Sequence, residues 1–287
     1  MPFPRDRAAW KKFALDLWFE VNHDKVFDFA GALAYSGILA LFPFLLFVVA
    51  LAGLMIDPKT VDTLIEQVQR LVPSQVADLL IDRMKALTGA RPALLTVGAV
   101  GAIWAASGGV TALISALNAV HDVEDRRPFW KVRGLAILVT LGGAALAILT
   151  SAIALLSPVV VKILGSEVGH AMLWLRWPVA AVMLNGILSV LYRILPDYKT
   201  AFRLVSPGSI VAVVMWILAS VGFTVYVAHF GSYEVVYGAL GSVIVLLLWM
   251  WISSLAVLVG AEVDSVLEHG SPNRMAAITQ VAPTPER

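Results

Sequence analysis

The chain has 287 residues, of which 59% are hydrophobic and 14% are charged. Soluble domains carry about 25% charged residues, and a disordered chain combines low hydrophobicity with high charge. The mean hydropathy of +0.83 therefore excludes both a water-soluble globule and a disordered protein. A net charge of +1 offers no excess of positive charge to a nucleic acid. The lack of cysteine excludes disulfides, thiol nucleophiles and cysteine-ligated metals.

Taken in chain order, the apolar residues form runs that are long enough to cross a bilayer as helices. A spanning helix needs about 20 apolar residues, whereas a barrel strand needs only about 9–11 residues of alternating character. The runs do not alternate, so the sequence predicts an all-α, polytopic membrane protein with a six-helix transmembrane domain over residues 30–261. The predicted spans are 30–56, 93–120, 134–156, 178–195, 207–230 and 239–261.

Residues 1–29 precede the first span and predict an amphipathic helix. Apolar side chains recur at helical spacing, at Trp10, Phe13, Leu17, Trp18 and Val21. Charged residues, among them Asp16 and Glu20, occupy the rest of the helix surface. Two placements remain open at this point: the helix lies on the inner membrane surface, or it packs on the cytoplasmic end of the bundle.

Two further segments are predicted outside the spans. The connection 57–92 carries two apolar stripes, which predict short amphipathic helices that lie on the outer membrane surface or cover the mouth of a cavity. The surface position is favoured. The tail, 262–287, is rich in Pro, Ala and Thr from Gly270 onwards, and we expect that part to be disordered.

The distribution of Lys and Arg predicts the orientation of the bundle. Cytoplasmic connections of membrane proteins carry an excess of these residues. The head, the second connection, the fourth connection and the tail carry most of them, whereas the third connection carries only Lys162 and Arg176 and the fifth carries none. The exception is the long first connection, with five basic and five acidic residues, and connections of that length carry little weight in this rule. The sequence therefore predicts a multi-pass protein of the bacterial inner membrane with both termini in the cytoplasm.

Four residues inside the spans have a predicted role in helix packing or bending. Gly108 and Gly109 belong to a glycine- and alanine-rich stretch, which favours close packing between helices over a substrate groove. Pro43 removes one backbone hydrogen bond and predicts a kink, which serves either structure or transport. Asn185 is expected to form an interhelical hydrogen bond.

One polar constellation is a candidate site. With the predicted orientation, Asn118, Arg133, Arg193 and Glu262 all fall at the cytoplasmic ends of their spans. Three more arginines lie at a similar depth: Arg126, Arg127 and Arg203. We hypothesise a basic vestibule that binds the head group of an anionic lipid, with Glu262 paired to one arginine. The alternative, ordinary anchoring by positive residues at the inner surface, is favoured.

Three stretches resemble a known family, the YihY/BrkB-like inner-membrane proteins of bacteria. The first span reads AGALAYSGILALFPFLLF over residues 30–47, and the second reads WAASGGVTALISALN over 104–118, followed by RPF at 127–129. The strongest match, over residues 195–262, contains LPDYKTAFRLVSPGSIVAVVMW, YGALGSVIVLLLWMW and LVGAE. The resemblance covers about Phe27 to His269 and implies a six-helix protein of the cytoplasmic membrane.

The resemblance also brings several functional labels, because members have been called ribonuclease BN, virulence or serum-resistance factors, and transporters. A metal-dependent nuclease needs clustered His and carboxylate ligands. The predicted topology places His23, His121 and His269 inside and His170 and His229 outside. We therefore expect the histidines not to converge, and we reject ribonuclease activity.

Two functions remain. The first is a transporter or flippase of a lipid or other amphipathic anion, and the alternative is a non-transporting envelope-integrity or scaffold protein. The lack of charges at mid-membrane depth and of a P-loop motif for ATP argues against the transporter, whose transport would have to be facilitated. A membrane-embedded enzyme is the weakest hypothesis, because the sequence has no nucleophile–base pair and no metal-ligand set. We expect no enzyme activity, no metal and no cofactor. Membrane lipids are the expected partners and nucleic acid is not, while a homo-oligomer or an envelope-protein partner stays open.

Overall fold

The computed structural model describes residues 6–55, 92–164, 166–198, 205–229 and 239–269. Within these ranges the chain forms seven helices, and the all-α prediction is confirmed for this part of the chain. In chain order they are α1 (Arg7–His23), α2 (Val26–Met55), α3 (Pro92–Val120), α4 (Phe129–Leu164), α5 (Ser166–Ile194), α6 (Pro207–His229) and α7 (Ala239–His269). The predicted surface helices over 57–91 and the tail from Gly270 lie outside the described residues.

Six of the described helices contain apolar stretches that correspond to the predicted spans. Four of these stretches are long and apolar enough to cross a membrane: Val100–Val120, Phe129–Thr150, Pro207–Val227 and Val243–His269. Two are shorter, Val26–Leu41 in α2 and Pro178–Ile194 in α5. Each stretch overlaps one predicted run, so the polytopic helical class is supported.

The helix ends differ from the ends of the apolar runs. Helix α4 begins at Phe129, before the predicted start at 134, and extends over 36 residues. Helix α7 continues past 261 to His269. An apolar run marks where side chains are apolar, whereas a helix continues wherever its backbone hydrogen bonds are formed. Arg133 and Glu262 were predicted just outside the spans, but both lie inside helices.

Helix α7 organises the bundle, because it contacts α6, α2, α3 and α1. The buried apolar core lies at the end of the bundle where α1, the end of α3 and the end of α5 meet α7. We call this region the α1 end. Its core contains Val21, Val26, Leu117, Val120, Leu195 and Leu258. Since Val21 and Leu258 belong to one core, the N-terminal helix and the second half of α7 lie at the same end.

Helices α6 and α7 share the most extensive contact, and two glycines make their close approach possible. A Cβ atom built on Gly260 would lie 2.6 Å from the Gly208 carbonyl oxygen and 2.6 Å from the Ala212 Cβ. A Cβ atom on Gly208 would in turn overlap the Gly260 carbonyl oxygen. At the same crossing the Gly208 backbone N–H donates to the Asp264 carboxylate at 2.7 Å, which satisfies one free donor at the start of α6.

Helix α1 forms as predicted, and its buried side combines part of the apolar stripe, Leu17 and Val21, with acidic residues. Asp16, Glu20 and Val21 are the buried residues, and α1 contacts both α7 and α2. Trp18 stays 64% exposed and Trp10 50% exposed. The helix therefore packs on the end of the bundle, the second of the two predicted placements. The two buried carboxylates, Asp16 and Glu20, belong to the part of the helix surface that the sequence assigns to charged residues.

The four residues considered for packing or bending behave differently from one another. Asn185 donates to the Ser209 hydroxyl on the next helix at 2.9 Å, which is the interhelical bond considered from the sequence. Gly109 faces α2, where a Cβ would lie 3.3 Å from the Ala40 Cβ. No atom of the described residues lies within 4 Å of a Cβ built on Gly108, so its close packing stays a prediction. Pro43 lies inside α2, which continues as one helix to Met55.

Candidate functional site at the α1 end

The predicted constellation does not form one vestibule. Its described members divide among a network around Asn118 and Arg127, a separate contact of Arg133 with α3, and a buried position of Glu262 among acidic residues. Arg203 lies outside the described residues. The Arg126 side chain is exposed and Arg193 occupies the last turn of α5. The three groups have different chemistry and are described in turn.

Asn118 joins two connections of the chain at the α1 end. Its side-chain amide donates to the Asp125 carboxylate at 3.0 Å, and its side-chain oxygen accepts the backbone N–H of Asp197 at 2.8 Å. The Asp197 carboxylate in turn accepts the backbone N–H of Arg126 at 3.1 Å. Asn118 is buried, and its donor and acceptor are both used. It therefore fixes the chain after α3 against the chain after α5.

Arg127 completes this network. Its guanidinium forms an ion pair with Asp125 at 2.7 Å and lies 3.8 Å from Asp197. It also donates to the Leu195 carbonyl at 2.8 Å. The hydrogen bonds from Arg127 hold the pKa of the Asp125 carboxyl below its usual value. Because its charge is matched by carboxylates of the chain, Arg127 has a structural role here and does not present a free fork to an anion.

Arg133 lies apart from that network, against the body of α3. Its guanidinium is 4.0 Å from the centroid of the Trp104 ring. It donates to the Trp104 carbonyl and to the Thr111 hydroxyl at 3.3 Å. Thr111 and Trp104 precede Asn118 by roughly two and four helical turns, or about 10 and 21 Å along the helix. The prediction that Arg133 lies level with Asn118 is therefore wrong.

Two further observations distinguish Arg133 from an ordinary anchoring residue. It lies within a candidate membrane span, Phe129–Thr150, and ionisable residues at such positions are costly and usually functional. Its Nε–H is buried and has no hydrogen-bond partner in the part of the chain that the structure describes. Exposed aromatic rings surround it: Trp104 is 50% and Trp130 73% exposed, and the Trp104 and Phe129 ring centroids are 6.3 Å apart. Aromatic rings of this kind are enriched at membrane interfaces.

Glu262, unlike Arg133, lies among acidic side chains. It is 1% exposed, and neither of its carboxyl oxygens has a hydrogen-bond donor among the residues that the structure describes. The carboxyl of Asp24 lies within hydrogen-bonding reach, and Glu20 and Asp122 add further negative charge. The predicted pairing of Glu262 with an arginine is wrong, because this face of α7 is covered by the acidic α1–α2 corner. Burial raises the pKa of Asp24 from 3.8 to about 6.

Two histidines converge at the α1 end, contrary to expectation. The His121 ring stacks on the Tyr198 ring, with centroids 5.6 Å apart, and the Tyr198 hydroxyl lies 2.5 Å from Nε2 of His269. Burial lowers the pKa of His121 to about 4, and His269 acts in the same direction. Tyr198 was present in the LPDYK stretch, but sequence spacing gave no sign that it separates two histidines.

The described residues offer no site for a metal ion, since no group of three or more His, Asp or Glu among them has suitable geometry. What the α1 end holds instead is a set of titratable groups from four parts of the chain. These groups are Asp24 from the α1–α2 corner, His121 and Asp122 after α3, Tyr198 after α5, and Glu262 and His269 on α7.

Comparison with known proteins places this architecture in a family. A model of the family described as virulence factor BrkB matches residues 17–282, which include every described helix from α2 to α7 and the last part of α1, residues 17–23. The chain belongs to the BrkB family. The resemblance seen in the sequence is thereby confirmed.

Similar BrkB-family proteins span nearly the whole chain. The ribonuclease-like protein YfkH of Bacillus subtilis (strain 168) is 33% identical over 249 residues, which cover 83% of this chain and 88% of YfkH. A UPF0761 membrane protein of Aggregatibacter aphrophilus (strain NJ8700) is 24% identical, covering 96% of this chain and 99% of that protein. A UPF0761 membrane protein of Haemophilus influenzae (strain 86-028NP) is 26% identical over 262 residues.

No solved structure matches the chain. The family match and the apolar helices together establish this BrkB-family member as an integral, multi-pass membrane protein.

Proposed function

We propose that the protein is a transporter or flippase for a lipid or other amphipathic anion, and that Arg133 contacts the anionic group of this substrate. The observation that carries the proposal is the position of Arg133 within a candidate span, beside Trp104 and Thr111. An arginine in a span requires compensation for its desolvation. The ring and the hydroxyl provide part of that compensation, and a bound anion would provide the rest.

The chemistry around Arg133 favours an amphipathic substrate. A guanidinium presents several N–H donors in a planar fork, which suits phosphate and carboxylate oxygens. The buried Nε–H of Arg133 has no partner among the described residues, so the chain as described leaves one donor of this fork unsatisfied. The exposed rings of Trp104, Phe129 and Trp130 next to it provide an apolar surface for an acyl or other hydrophobic part. A lipid that enters laterally from the bilayer has an anionic group for the guanidinium and an apolar part for the aromatic rings.

The proposal includes a location and an orientation. We place the protein in the bacterial inner membrane with both termini in the cytoplasm, because Lys and Arg are concentrated in the connections predicted on that side. Membrane lipids are then both solvent and substrate. We propose that no enzymatic step and no cofactor are involved, so that movement of the substrate is facilitated.

The alternative function is a non-transporting scaffold or envelope-integrity protein, and α1 carries the observation that favours it. The outward face of α1 exposes Trp10, Leu15 and Trp18 next to Lys11 and Lys12. Such a face suits an anionic membrane surface or another envelope protein. In that case the protein would retain anionic lipid without moving it between leaflets.

Leaflet exchange in proteoliposomes separates the two functions. The wild type, Arg133→Gln and the matched control Lys131→Gln, an exposed residue two positions earlier on α4, are reconstituted with a fluorescent anionic lipid and with its zwitterionic counterpart. We expect the wild type and Lys131→Gln to exchange the anionic lipid faster than empty vesicles, and Arg133→Gln to lose most of that gain. A correctly folded wild type that exchanges neither lipid contradicts the transport proposal.

A further inference from the structure

The corner between α1 and α2 presses an acidic side chain against the last helix. Only Asp24 and Lys25 separate the two helices, and Lys25 adopts a left-handed backbone conformation with φ 52°. The Asp24 backbone N–H donates to the Glu20 carbonyl at 2.8 Å, which holds the corner tightly to the end of α1. This geometry directs the Asp24 carboxyl towards Glu262 on α7.

The groups facing the Asp24–Glu262 contact are mostly acidic. Helix α1 contributes Glu20 and His23, and the chain after α3 contributes Asp122. Glu262 itself is buried in α7 at 1% exposure. His23 is the one cationic or titratable base among the groups that act on this contact in the described chain. An ionised Asp24 and an ionised Glu262 would therefore repel each other in a poorly hydrated position.

We propose that Asp24 and Glu262 form a proton-binding site that ties the α1–α2 corner to α7. Two ionised carboxylates can only accept hydrogen bonds, so neither can donate to the other. In agreement with this, neither oxygen of Glu262 has a donor among the described residues. One proton placed between them converts one group into an O–H donor, and the O–H···O⁻ bond removes the repulsion at the same time. The ligand of the site is thus a proton, and one proton is enough to complete the pair.

The pH dependence follows from the direction of the shift at Asp24. Its pKa is raised from 3.8 to about 6, chiefly by burial, so the folded state binds the proton more tightly than the unfolded state. The stabilisation is complete below the ordinary pKa and is lost as the pH rises through about 6. Acidification within this window should therefore hold α1 against α7, and a rise in pH should loosen it.

A metal ion is the competing occupant of an acidic cluster, and the geometry favours the proton. Metal sites need several ligands at fixed distances around one point, and the described residues contain no such group. A pair that shares a proton needs only two oxygens within hydrogen-bonding reach, as Asp24 and Glu262 are.

Infrared difference spectroscopy of the purified full-length protein tests the site directly. We expect a protonated-carboxyl band below a pH of about 6 that fades as the pH rises through this value. The band should be absent in Glu262→Gln and unchanged in Glu268→Gln, an exposed control on the same helix. The band should be insensitive to added Mg²⁺ or Ca²⁺. A band that survives in Glu262→Gln, the lack of any band in the wild type, or displacement of the band by either cation would overturn the proposal.

A second variant keeps the test open if Glu262→Gln does not fold. In Asp24→Asn the amide N–H can donate to Glu262 in place of the proton, so the band should again be lost, whereas Asp28→Asn, exposed one turn later, should retain it. Because the chain has no cysteine, a single cysteine at Val21 reports on α1. The measured quantity is the rate at which maleimide labels this cysteine, divided by the rate for a cysteine placed at exposed Trp18. This ratio should rise several-fold with pH in the wild-type background and stay constant in Asp24→Asn. A pH-dependent ratio in Asp24→Asn equal to that of the wild type would contradict the site.

Discussion

The guanidinium of Arg133 lies over the ring of Trp104, 4.0 Å from its centroid, and donates a hydrogen bond to the backbone carbonyl of the same residue. The two residues are on neighbouring helices, α4 and α3. This contact explains how an arginine is held at the depth of a candidate span, because the ring partly replaces the hydration that the charge has lost.

The Arg133–Trp104 contact predicts a measurable coupling. Cation–π pairs are worth about 0.5–2 kcal/mol. The double variant Arg133→Gln/Trp104→Leu should therefore lose less free energy of unfolding than the two single variants lose in sum, by on the order of 1 kcal/mol. Denaturant unfolding in one detergent measures all four proteins of the cycle. Losses that simply add would mean that the stacking contributes nothing.

The crossing of α6 and α7 predicts a strong sensitivity to methyl groups. Gly260→Ala and Gly208→Ala each place a Cβ into backbone atoms of the facing helix, and such overpacking costs about 1–3 kcal/mol. Gly222→Ala is the matched control on α6, because a Cβ there meets no neighbouring atom, and it should be neutral or stabilising by about 0.5–1 kcal/mol. Thermal unfolding in detergent checks the order, and equal effects of the three substitutions would contradict the close crossing.

The Arg127–Asp125 ion pair predicts a stability difference that depends on pH. Arg127→Met leaves Asp125 without its cation and should cost on the order of 2 kcal/mol near neutral pH. The pKa of Asp125 is lowered mainly by hydrogen bonds from Arg127, so the contribution exists above the ordinary carboxyl pKa and is lost as the pH falls through the lowered value. Thermal midpoints of the two proteins should therefore converge in acid. A constant difference at every pH would show that Arg127 acts through packing alone.

The neutral His121 ring predicts a loss of stability in acid. Its pKa is lowered by burial to about 4, so the folded state resists a proton that the unfolded state accepts at about 6.5. This contribution is present above about 6.5 and is lost as the pH falls towards about 4. The measurement uses an Asp24→Asn background, which removes the opposing effect of Asp24. In this background, the protein that also carries His121→Phe should lose less stability between these two pH values than the protein that retains His121. Parallel pH profiles would contradict a neutral, buried His121.

The helices could be predicted from the sequence because each span is an apolar run of the required length. The six runs overlap the six apolar stretches of the structure, since crossing a bilayer constrains length and composition within a single segment. The predicted start of α4 and the predicted end of α7 were less accurate, because polar residues such as Arg133 and Glu262 continue a helix without continuing an apolar run.

The contacts of the candidate site depend on how far one helix is displaced along another, which single-segment patterns do not contain. Arg133 was expected level with Asn118, but the start of α4 lies beside the body of α3, where Trp104 and Thr111 are. Likewise, Asp16 and Glu20 were placed away from the apolar face of α1, yet they are buried. The periodicity of α1 does not show which other helix its charged surface meets, so the acidic surroundings of Glu262 could not be predicted.

The most direct test of the central claim, that Arg133 holds the anionic group of a membrane lipid, is native mass spectrometry of the protein released from membranes of mixed lipid. The account predicts that the wild type and Lys131→Gln retain anionic phospholipid in preference to phosphatidylcholine, and that Arg133→Gln loses this preference while remaining folded under the conditions of the measurement. Equal retention of anionic lipid by the wild type and Arg133→Gln would contradict it.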